Sequence, residues 1–127
     1  PDPRLKANKV SNHKFQPGAR TYPGHTGSPL DMPSKALKAG VHGVPGGENM
    51  MVLTDGSVRY LTAREAARIQ TFPDDYHFTG AWTEIMRQLG NAVPVRLAHV
   101  IASGVARELI LSSERELKSA IRRLASK

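Results

Sequence analysis

Residues 59–94 contain the strongest local folding signals in the chain. Thr62 is followed three residues later by Glu65, the pattern of a capping box, in which the threonine hydroxyl accepts from a free N–H of the first turn and the glutamate reaches back to the cap. This pattern predicts a helix that begins at Thr62. Pro73 disfavours the helical conformation of the residue before it, so we expect the helix to end there.

The predicted helix has two different sides. Ala66, Ile69 and Phe72 recur at three-residue spacing, while Arg64 and Arg68 lie four residues apart on another side. We expect the apolar side to pack and the two guanidinium groups to reach phosphate or carboxylate. The residues assigned a structural supporting role in this region are Arg59, Thr62, Arg64, Glu65 and Arg68.

Shorter elements are predicted on either side of this helix. Residues 50–53 and 58–61 favour a hairpin with Asp55 and Gly56 in its turn. Residues 82–89 favour a short helix ended by Gly90, with Trp82 packed in the core rather than stacked on a base. Alternating polar and apolar residues at 35–39 predict one short strand.

The C-terminal third favours two further helices, which makes about four in all. Residues 91–94 open a long helix with Pro94 in its first turn, where the missing N–H costs nothing. Its broad apolar face predicts that this helix is well buried. Ser113 and Glu116 form a second capping box and predict a separate, basic terminal helix.

The N-terminal third has few apolar anchors. Proline and glycine are frequent in residues 16–47, which predicts turns and short edge strands. Residues 1–15 are polar and basic, and we expect a flexible or extended arm. Such an arm is consistent with contact along a DNA backbone and equally with a solvated tail.

Composition limits the classes of partner and site. Eighteen Lys and Arg against eleven Asp and Glu give a net charge of +7, the electrostatic footprint of a nucleic-acid partner, although a basic domain that binds no polyanion fits equally well. The chain has no cysteine, so we predict no disulfide framework and no cysteine-ligated metal site, and we assign no metal ligands. We find no run of apolar residues that approaches the length of a membrane-spanning helix. We therefore expect an intracellular protein without membrane contact. Because the sequence starts at Pro1, we expect a piece of a longer protein or a processed chain.

Two stretches together resemble a known family. Residues 59–76 resemble the ninth conserved motif of the cytosine-5 DNA methyltransferases, and residues 88–94 resemble the tenth, in the family's order. The resemblance implies a mixed α/β fold, the C-terminal piece of an S-adenosylmethionine-dependent methyltransferase. Residues 1–58 would be the distal, loop-rich and β-rich part of the target-recognition region, residues 59–80 the linking helix, and residues 81–127 the helices that complete a Rossmann-like domain.

The resemblance also implies a partial cofactor site. Asn91, Ala92 and Val93 lie where the family holds the carboxylate of S-adenosylmethionine, and an asparagine side chain with free backbone N–H groups suits that role. Ala92 replaces a hydroxyl residue of some relatives. The alternative for Asn91 is that it only caps the following helix, and both roles are compatible.

Candidate DNA contacts follow from the same resemblance. The family places a Thr-Leu pair before a glycine-rich recognition loop, and here the pair is Ala36 and Leu37, so the threonine hydroxyl that bonds a phosphate is missing. Arg20 is a candidate for a bidentate contact to guanine. His42 is equally consistent with a loop histidine bonded to backbone. The candidate DNA-binding residues are Arg20, Lys35, Lys38, Gly40, His42 and Gly43.

The family's reaction requires a cysteine thiolate, and this chain supplies no catalytic residue. We therefore expect the C-terminal portion of a DNA cytosine-5 methyltransferase, of the restriction-modification kind and inactive alone. Its implied partners are double-stranded DNA and an N-terminal portion, either in the same polypeptide or as a separate subunit. The alternatives are a free-standing sequence-specific DNA-binding module and, with less in its favour, a protein-recruiting domain.

Overall fold

The computed structural model describes residues 10–39 and 47–125, and these residues adopt a mixed α/β fold. Contacts divide the chain into two units, Pro1–Pro94 and Val95–Lys127, which are described separately. The elements in chain order are β1 (Ser28–Pro29), a 3₁₀ turn (Gly47–Asn49), β2 (Met50–Val52), β3 (Val58–Tyr60), α1 (Ala63–Ile69), α2 (Trp82–Asn91) and α3 (Val95–Ala125).

A three-stranded sheet in the order β1-β2-β3 forms one layer of the first unit. β2 and β3 pair antiparallel, and the Asp55 carboxylate accepts from the backbone N–H of Ser57 at 2.9 Å in the turn between them. This confirms the predicted hairpin. β1 is a short edge strand parallel to β2 and contains Pro29, a residue that edge strands tolerate. The strand predicted at 35–39 is wrong, because this segment instead buries Leu37 in the core.

The capping box at the start of α1 is present. The Thr62 hydroxyl accepts from the Glu65 N–H at 3.2 Å, and the Glu65 carboxylate accepts from the Thr62 N–H at 2.8 Å. The predicted start of the helix is therefore confirmed. These two bonds satisfy two of the donors that a helix N-terminus leaves free.

The predicted end of α1 is wrong, because the helix stops at Ile69 rather than at Pro73. Thr71 adopts a left-handed conformation with φ of +59°. The N–H of Phe72 donates to the Ala67 carbonyl and that of Thr71 donates to the Arg68 carbonyl, both at 2.9 Å. This is a Schellman ending, which closes the helix before the proline is reached.

The core of the first unit lies where α1 packs on α2. Trp82 is half-buried, donates its indole N–H to the Leu61 carbonyl at 3.0 Å, and lies with its ring centroid 5.2 Å from that of Tyr60. Trp82 therefore packs against the core, as predicted. The buried members of the core are Leu37, Leu61, Ala63, Ala66, Ala67, Ile85, Met86 and Leu89.

Gly90 does not end α2, which continues to Asn91, so that prediction is wrong. Its role is a close approach between segments. A Cβ atom at this position would lie 2.7 Å from the backbone N of Ala39 and 2.8 Å from the carbonyl carbon of Lys38. No side chain fits at such distances without a shift of backbone, which explains glycine inside a helix.

Gly90→Ala should therefore lower the free energy of unfolding by about 1–3 kcal/mol, the usual range for overpacking, despite the better helix propensity of alanine. Gly104→Ala is the matched control, because nothing lies within 4 Å of the added Cβ, and it should leave stability unchanged or slightly raised. Urea unfolding measures both variants. A Gly90→Ala variant as stable as the parent would contradict the close approach.

The second unit is one helix, α3, of 31 residues. The capping box predicted at Ser113 does not start a new helix, because the Ser113 hydroxyl donates back to the Leu109 carbonyl at 3.0 Å within a continuous helix. The described residues thus contain three α-helices rather than about four. No residue of α3 is buried, so the expected burial is wrong for this chain by itself.

The C-terminal helical region is more apolar than we predicted from the sequence. By length and composition alone, the described stretch Trp82–Ala125 holds an 18-residue window apolar enough to cross a membrane, with a mean hydropathy of 1.2. The expectation that no apolar run approaches a membrane span is wrong by this measure. Core helices of soluble proteins pass the same test.

Candidate functional site

Arg59 joins the hairpin to α1. Its guanidinium donates to both carboxylate oxygens of Glu65, at 2.8 and 2.6 Å, and also to the Tyr60 carbonyl at 3.1 Å. Burial raises the pKa of Glu65, but the hydrogen bonds from Arg59 and from the Thr62 N–H outweigh it, so the pKa lies below its ordinary value. The carboxylate thus stays ionised at neutral pH and holds β3 against the start of α1.

Residues 11–13 pack against the same region. The Asn12 side chain donates to the Phe78 carbonyl at 2.9 Å and accepts from the Phe78 N–H at 3.0 Å. His13 Nδ1 lies 2.9 Å from the Thr62 hydroxyl. Asn12 has φ of +62°, a conformation that asparagine tolerates better than most residues. The expectation of a flexible or extended arm is therefore wrong for residues 11–13, where the chain turns and is bonded to the rest of the unit, while residues 1–9 lie outside the described part.

Arg64 is fully buried and bonds only to backbone carbonyls in the contacts observed. It donates to Ser11 at 2.9 Å, to Pro73 at 2.9 Å and to Tyr76 at 2.6 Å. Its guanidinium also lies 5.8 Å from the centroid of the Phe78 ring. The expectation that this guanidinium reaches phosphate or carboxylate is wrong. Arg64 instead ties two segments of the chain, one at Ser11 and one at residues 73–76, to α1.

Arg68, unlike Arg64, does reach a carboxylate. Its guanidinium donates to both carboxylate oxygens of Asp74, at 2.8 and 2.7 Å, in an exposed pair. The hydrogen bond from Arg68 lowers the pKa of Asp74. The expectation that Arg68 reaches a carboxylate is therefore confirmed, and that carboxylate belongs to the protein itself.

The candidate cofactor residues lie in a segment fixed by Gln70, which the sequence reasoning missed. The Gln70 amide donates to the Leu89 carbonyl at 2.7 Å and to the Ala92 carbonyl at 3.4 Å. The Ala92 N–H donates to the Leu89 carbonyl at 3.2 Å, so it is not a free donor. Asn91 and Val93 are exposed.

Asn91 is the last residue of α2, and α3 begins only at Val95. The alternative that Asn91 caps the following helix is therefore wrong, because a cap would lie next to the first helical residue. No local sequence signal marks Gln70, because its acceptors at Leu89 and Ala92 lie 19 and 22 residues further along the chain.

Two of the candidate DNA contacts are already engaged within the protein. Lys38 pairs with Glu48 at 2.8 Å, and this hydrogen bond lowers the pKa of Glu48. Lys35 donates to the Thr26 hydroxyl at 3.1 Å. Both lysines remain exposed at the surface. The candidates Gly40, His42 and Gly43 lie outside the described residues.

Arg20 is exposed and lines an open cleft of about 580 Å³, whose other lining residues are Gly18, Thr21, Tyr22 and Tyr60. The volume is within the usual range of ligand sites. His25 lies between this cleft and Lys38. Its ring stacks on that of Tyr22, and its Nδ1 lies 3.5 Å from the Glu48 carboxylate, which also pairs with Lys38. Tyr22, His25 and Glu48 were missed as candidate residues, although the Tyr-Pro-Gly sequence marks a turn there.

Comparison with known proteins gives one consistent class of relative. The chain is 42% identical over 77 residues to the Type II methyltransferase M.AplI of Arthrospira platensis, which covers 60% of the chain and 22% of that protein. It is 36% identical over 81 residues to the Type II methyltransferase M.HindV of Haemophilus influenzae, covering 60% of the chain and 27% of that protein.

A third relative, the Type II methyltransferase M.PspPI of a Psychrobacter species, is 57% identical over 51 residues, which cover 40% of the chain and 12% of that protein. The chain thus spans between 12% and 27% of the length of these three relatives. No solved structure gives a significant match. The sequence profile of the C-5 cytosine-specific DNA methylases matches residues 6–107, most of the 127 residues. The chain therefore belongs to the C-5 cytosine-specific DNA methylase family.

Proposed function

We propose that this chain is the C-terminal portion of a DNA cytosine-5 methyltransferase and that it acts only together with a portion that carries the catalytic cysteine. One observation carries the proposal: a family match over residues 6–107 is combined with a sequence that contains no cysteine. The family's reaction begins with attack of a thiolate on the cytosine ring. A chain without that sulfur contributes binding surfaces to the reaction and leaves the chemistry to its partner.

The bare surface of α3 supports this division. An amphipathic helix normally covers its apolar face with other elements, and large exposed apolar patches mark interaction surfaces. The chain spans at most 27% of the three relatives compared, and we propose that the rest of a protein of that length covers this face. The exposed large apolar side chains of α3 are Val95, Leu97, Val100, Ile101, Val105, Leu109, Ile110, Leu111, Leu117, Ile121 and Leu124.

The segment that contains Asn91 fits one edge of an S-adenosylmethionine site. Gln70 fixes the backbone of this segment through the Leu89 and Ala92 carbonyls, while the Asn91 amide stays exposed and able to donate to a carboxylate. Val93, 57% exposed, supplies an apolar contact beside it. S-adenosylmethionine would supply the methyl group. The role of this chain would be to hold the amino-acid end of that cofactor with residues of its tenth motif.

DNA recognition is proposed for the part of the first unit that precedes α1. Arg20, Lys35 and Lys38 are exposed there, and the net charge of +7 favours contact with phosphate. We assign the ninth motif, residues 59–76, a structural role, because Arg59 and Arg64 are satisfied by groups within the protein. We further propose that the protein belongs to a bacterial restriction-modification system and acts in the cytoplasm.

We call the chain combined with a cysteine-bearing portion the joined enzyme. Asn91→Ala in the joined enzyme should raise the concentration of S-adenosylmethionine needed for half-maximal transfer by about 10- to 150-fold, the loss expected for one hydrogen bond to a charged group. Affinity for DNA should change little. Initial rates measure the S-adenosylmethionine requirement, and isothermal titration measures the affinity for DNA. Thr83→Ala, exposed on the same helix, is the control and should change neither. A variant that loses DNA affinity and keeps its cofactor requirement would contradict the assignment.

A free-standing DNA-binding module is the second candidate function, favoured by the net charge and the arginine-lined cleft. It predicts tight, sequence-selective binding of duplex DNA by the chain alone. The methyltransferase proposal predicts weak binding alone and a large gain once the cysteine-bearing portion is added. Gel-shift titrations with and without that portion separate the two candidates.

A further inference from the structure

A tight turn presents two aromatic rings at the surface of the first unit. Tyr22 and His25 exchange two backbone hydrogen bonds, at 3.3 and 2.8 Å, across Pro23 and Gly24. Gly24 has φ of +82°, as the third position of a type II turn requires, and proline suits the second position. The turn is thus fixed by its own backbone, and it holds its two side chains in a defined place.

The two rings of this turn are stacked on each other. Their centroids lie 4.2 Å apart with an angle of 28° between the planes. His25 Nδ1 also lies 3.5 Å from the Glu48 carboxylate. Tyr22 nonetheless remains 42% exposed. An aromatic ring that packs on a second ring and still keeps much of its surface exposed offers area on which a planar group can stack.

Arg20 makes the surroundings of Tyr22 suitable for a nucleotide. Both side chains line the open cleft of about 580 Å³, and the buried Tyr60 closes part of its wall. A guanidinium beside an aromatic ring combines the two interactions that proteins use on unstacked nucleotides, namely stacking on the base and a forked contact to phosphate or to the guanine edge.

We propose that the Tyr22 and His25 turn, together with Arg20, binds a nucleobase that has left the stack of the DNA duplex, with guanine preferred. The faces of bases inside a duplex are covered by their neighbours, so only a displaced base can lie on the Tyr22 ring. Arg20 then donates to the O6 and N7 edge of that base. This inference rests on the proposed function, because it takes DNA as the substrate, and it assigns base-stacking residues within the recognition region.

The test uses the full chain and fluorescence anisotropy at one fixed salt concentration. Two labelled duplexes of the same length are compared, one fully paired and one with a single unpaired guanine. We expect tighter binding of the duplex with the unpaired guanine. Tyr22→Ala should weaken that binding by about tenfold or more while changing the affinity for paired DNA little, as loss of one base stack does.

Tyr22→Phe is the matched variant, because it keeps the ring and should retain the preference. Arg20→Lys should keep charge but reduce the preference for guanine over an unpaired thymine. The melting temperature of each variant shows that the turn still folds. Equal losses on both duplexes in Tyr22→Ala, unchanged binding in that variant, or no preference in the parent chain would each overturn the inference.

Failure of the base-binding proposal can be distinguished from failure of the methyltransferase proposal. A joined enzyme that transfers no methyl group, with the preference for unpaired guanine intact, would reject the methyltransferase assignment and keep the base-binding turn. The opposite result would reject only the base-binding role of the turn. In that case the joined enzyme carrying Tyr22→Ala methylates cytosine at the same rate and with the same site preference as the parent, and the parent chain shows no preference for the unpaired guanine in the anisotropy measurement.

Discussion

Replacing Arg64 by lysine should lower the free energy of unfolding by about 3–6 kcal/mol, because at least two hydrogen bonds from a charged donor, worth about 1.5–3 kcal/mol each, would be lost. The guanidinium is fully buried and serves carbonyls of Ser11, Pro73 and Tyr76 at the same time. A lysine ammonium is a single point and cannot reproduce a planar fork aimed at three acceptors. At least two carbonyls would lose a charged donor, and the substitution leaves the charge itself buried.

Arg68→Lys is the matched control, four residues along the same helix. Its pair with Asp74 is exposed on both sides, and such pairs contribute little because water and salt screen them. Urea unfolding of the two variants should therefore give a large loss for Arg64 and a curve close to that of the parent for Arg68. Equal effects at the two positions would contradict the assignment of Arg64 as the link between segments.

Glu65→Gln should lower the free energy of unfolding at neutral pH by about 2–3 kcal/mol, less than a fully buried pair because both side chains keep some exposure. The amide replaces the carboxylate that accepts two bonds from Arg59 and one from the Thr62 N–H. It leaves a largely buried guanidinium without its counter-charge. The junction between β3 and α1 should therefore become the weakest part of the first unit.

The same substitution makes a prediction about pH. The folded pKa of Glu65 lies below its ordinary value of 4.5, so its contribution to stability is present above that value and is lost as pH falls through the lower folded pKa. The difference in unfolding free energy between the parent and Glu65→Gln should thus be constant near neutral pH and shrink below about pH 4.5. Glu84→Gln, in an exposed pair with Arg87, serves as the control. A difference that grows on acidification would contradict the assignment.

The elements that could be predicted from the sequence are those set by a few neighbouring residues. The capping box at Thr62, the Asp55 and Gly56 turn and the apolar face of α2 each depend on side chains within one or two turns of chain. Local chemistry decides such elements before any tertiary contact forms. Family membership could likewise be inferred from short motifs.

The predictions that failed depend on contacts between distant segments. Nothing near Arg64 in the sequence reveals that Ser11 and Tyr76 place their carbonyls around it, and nothing near Gly90 reveals Ala39. The left-handed Thr71 was also out of reach, because a β-branched residue rarely takes that conformation. For α3, the apolar pattern predicted burial, but the chain by itself leaves that face exposed.

Of the candidate site, the sequence could indicate residue types rather than their arrangement. Asn91 was expected beside free backbone donors, yet the Ala92 N–H is bonded within the protein and Gln70 fixes the segment. Lys38 was expected to face phosphate, and it pairs with Glu48. The roles proposed for Asn91, Arg20 and the lysines stay predictions, and the experiments above test them.

Restored methylation is the most direct test of the central claim. The part of M.HindV that lies outside its region of similarity to this chain is co-expressed with, or fused to, the chain, and bisulfite sequencing of plasmid DNA reads cytosine-5 methylation. The account predicts methylated cytosines for the combination and none for either part alone, with methylation lost when the cysteine of the added part is replaced by alanine. Methylation by this chain alone, or a folded combination that binds S-adenosylmethionine and DNA and leaves every cytosine unmodified, would contradict it.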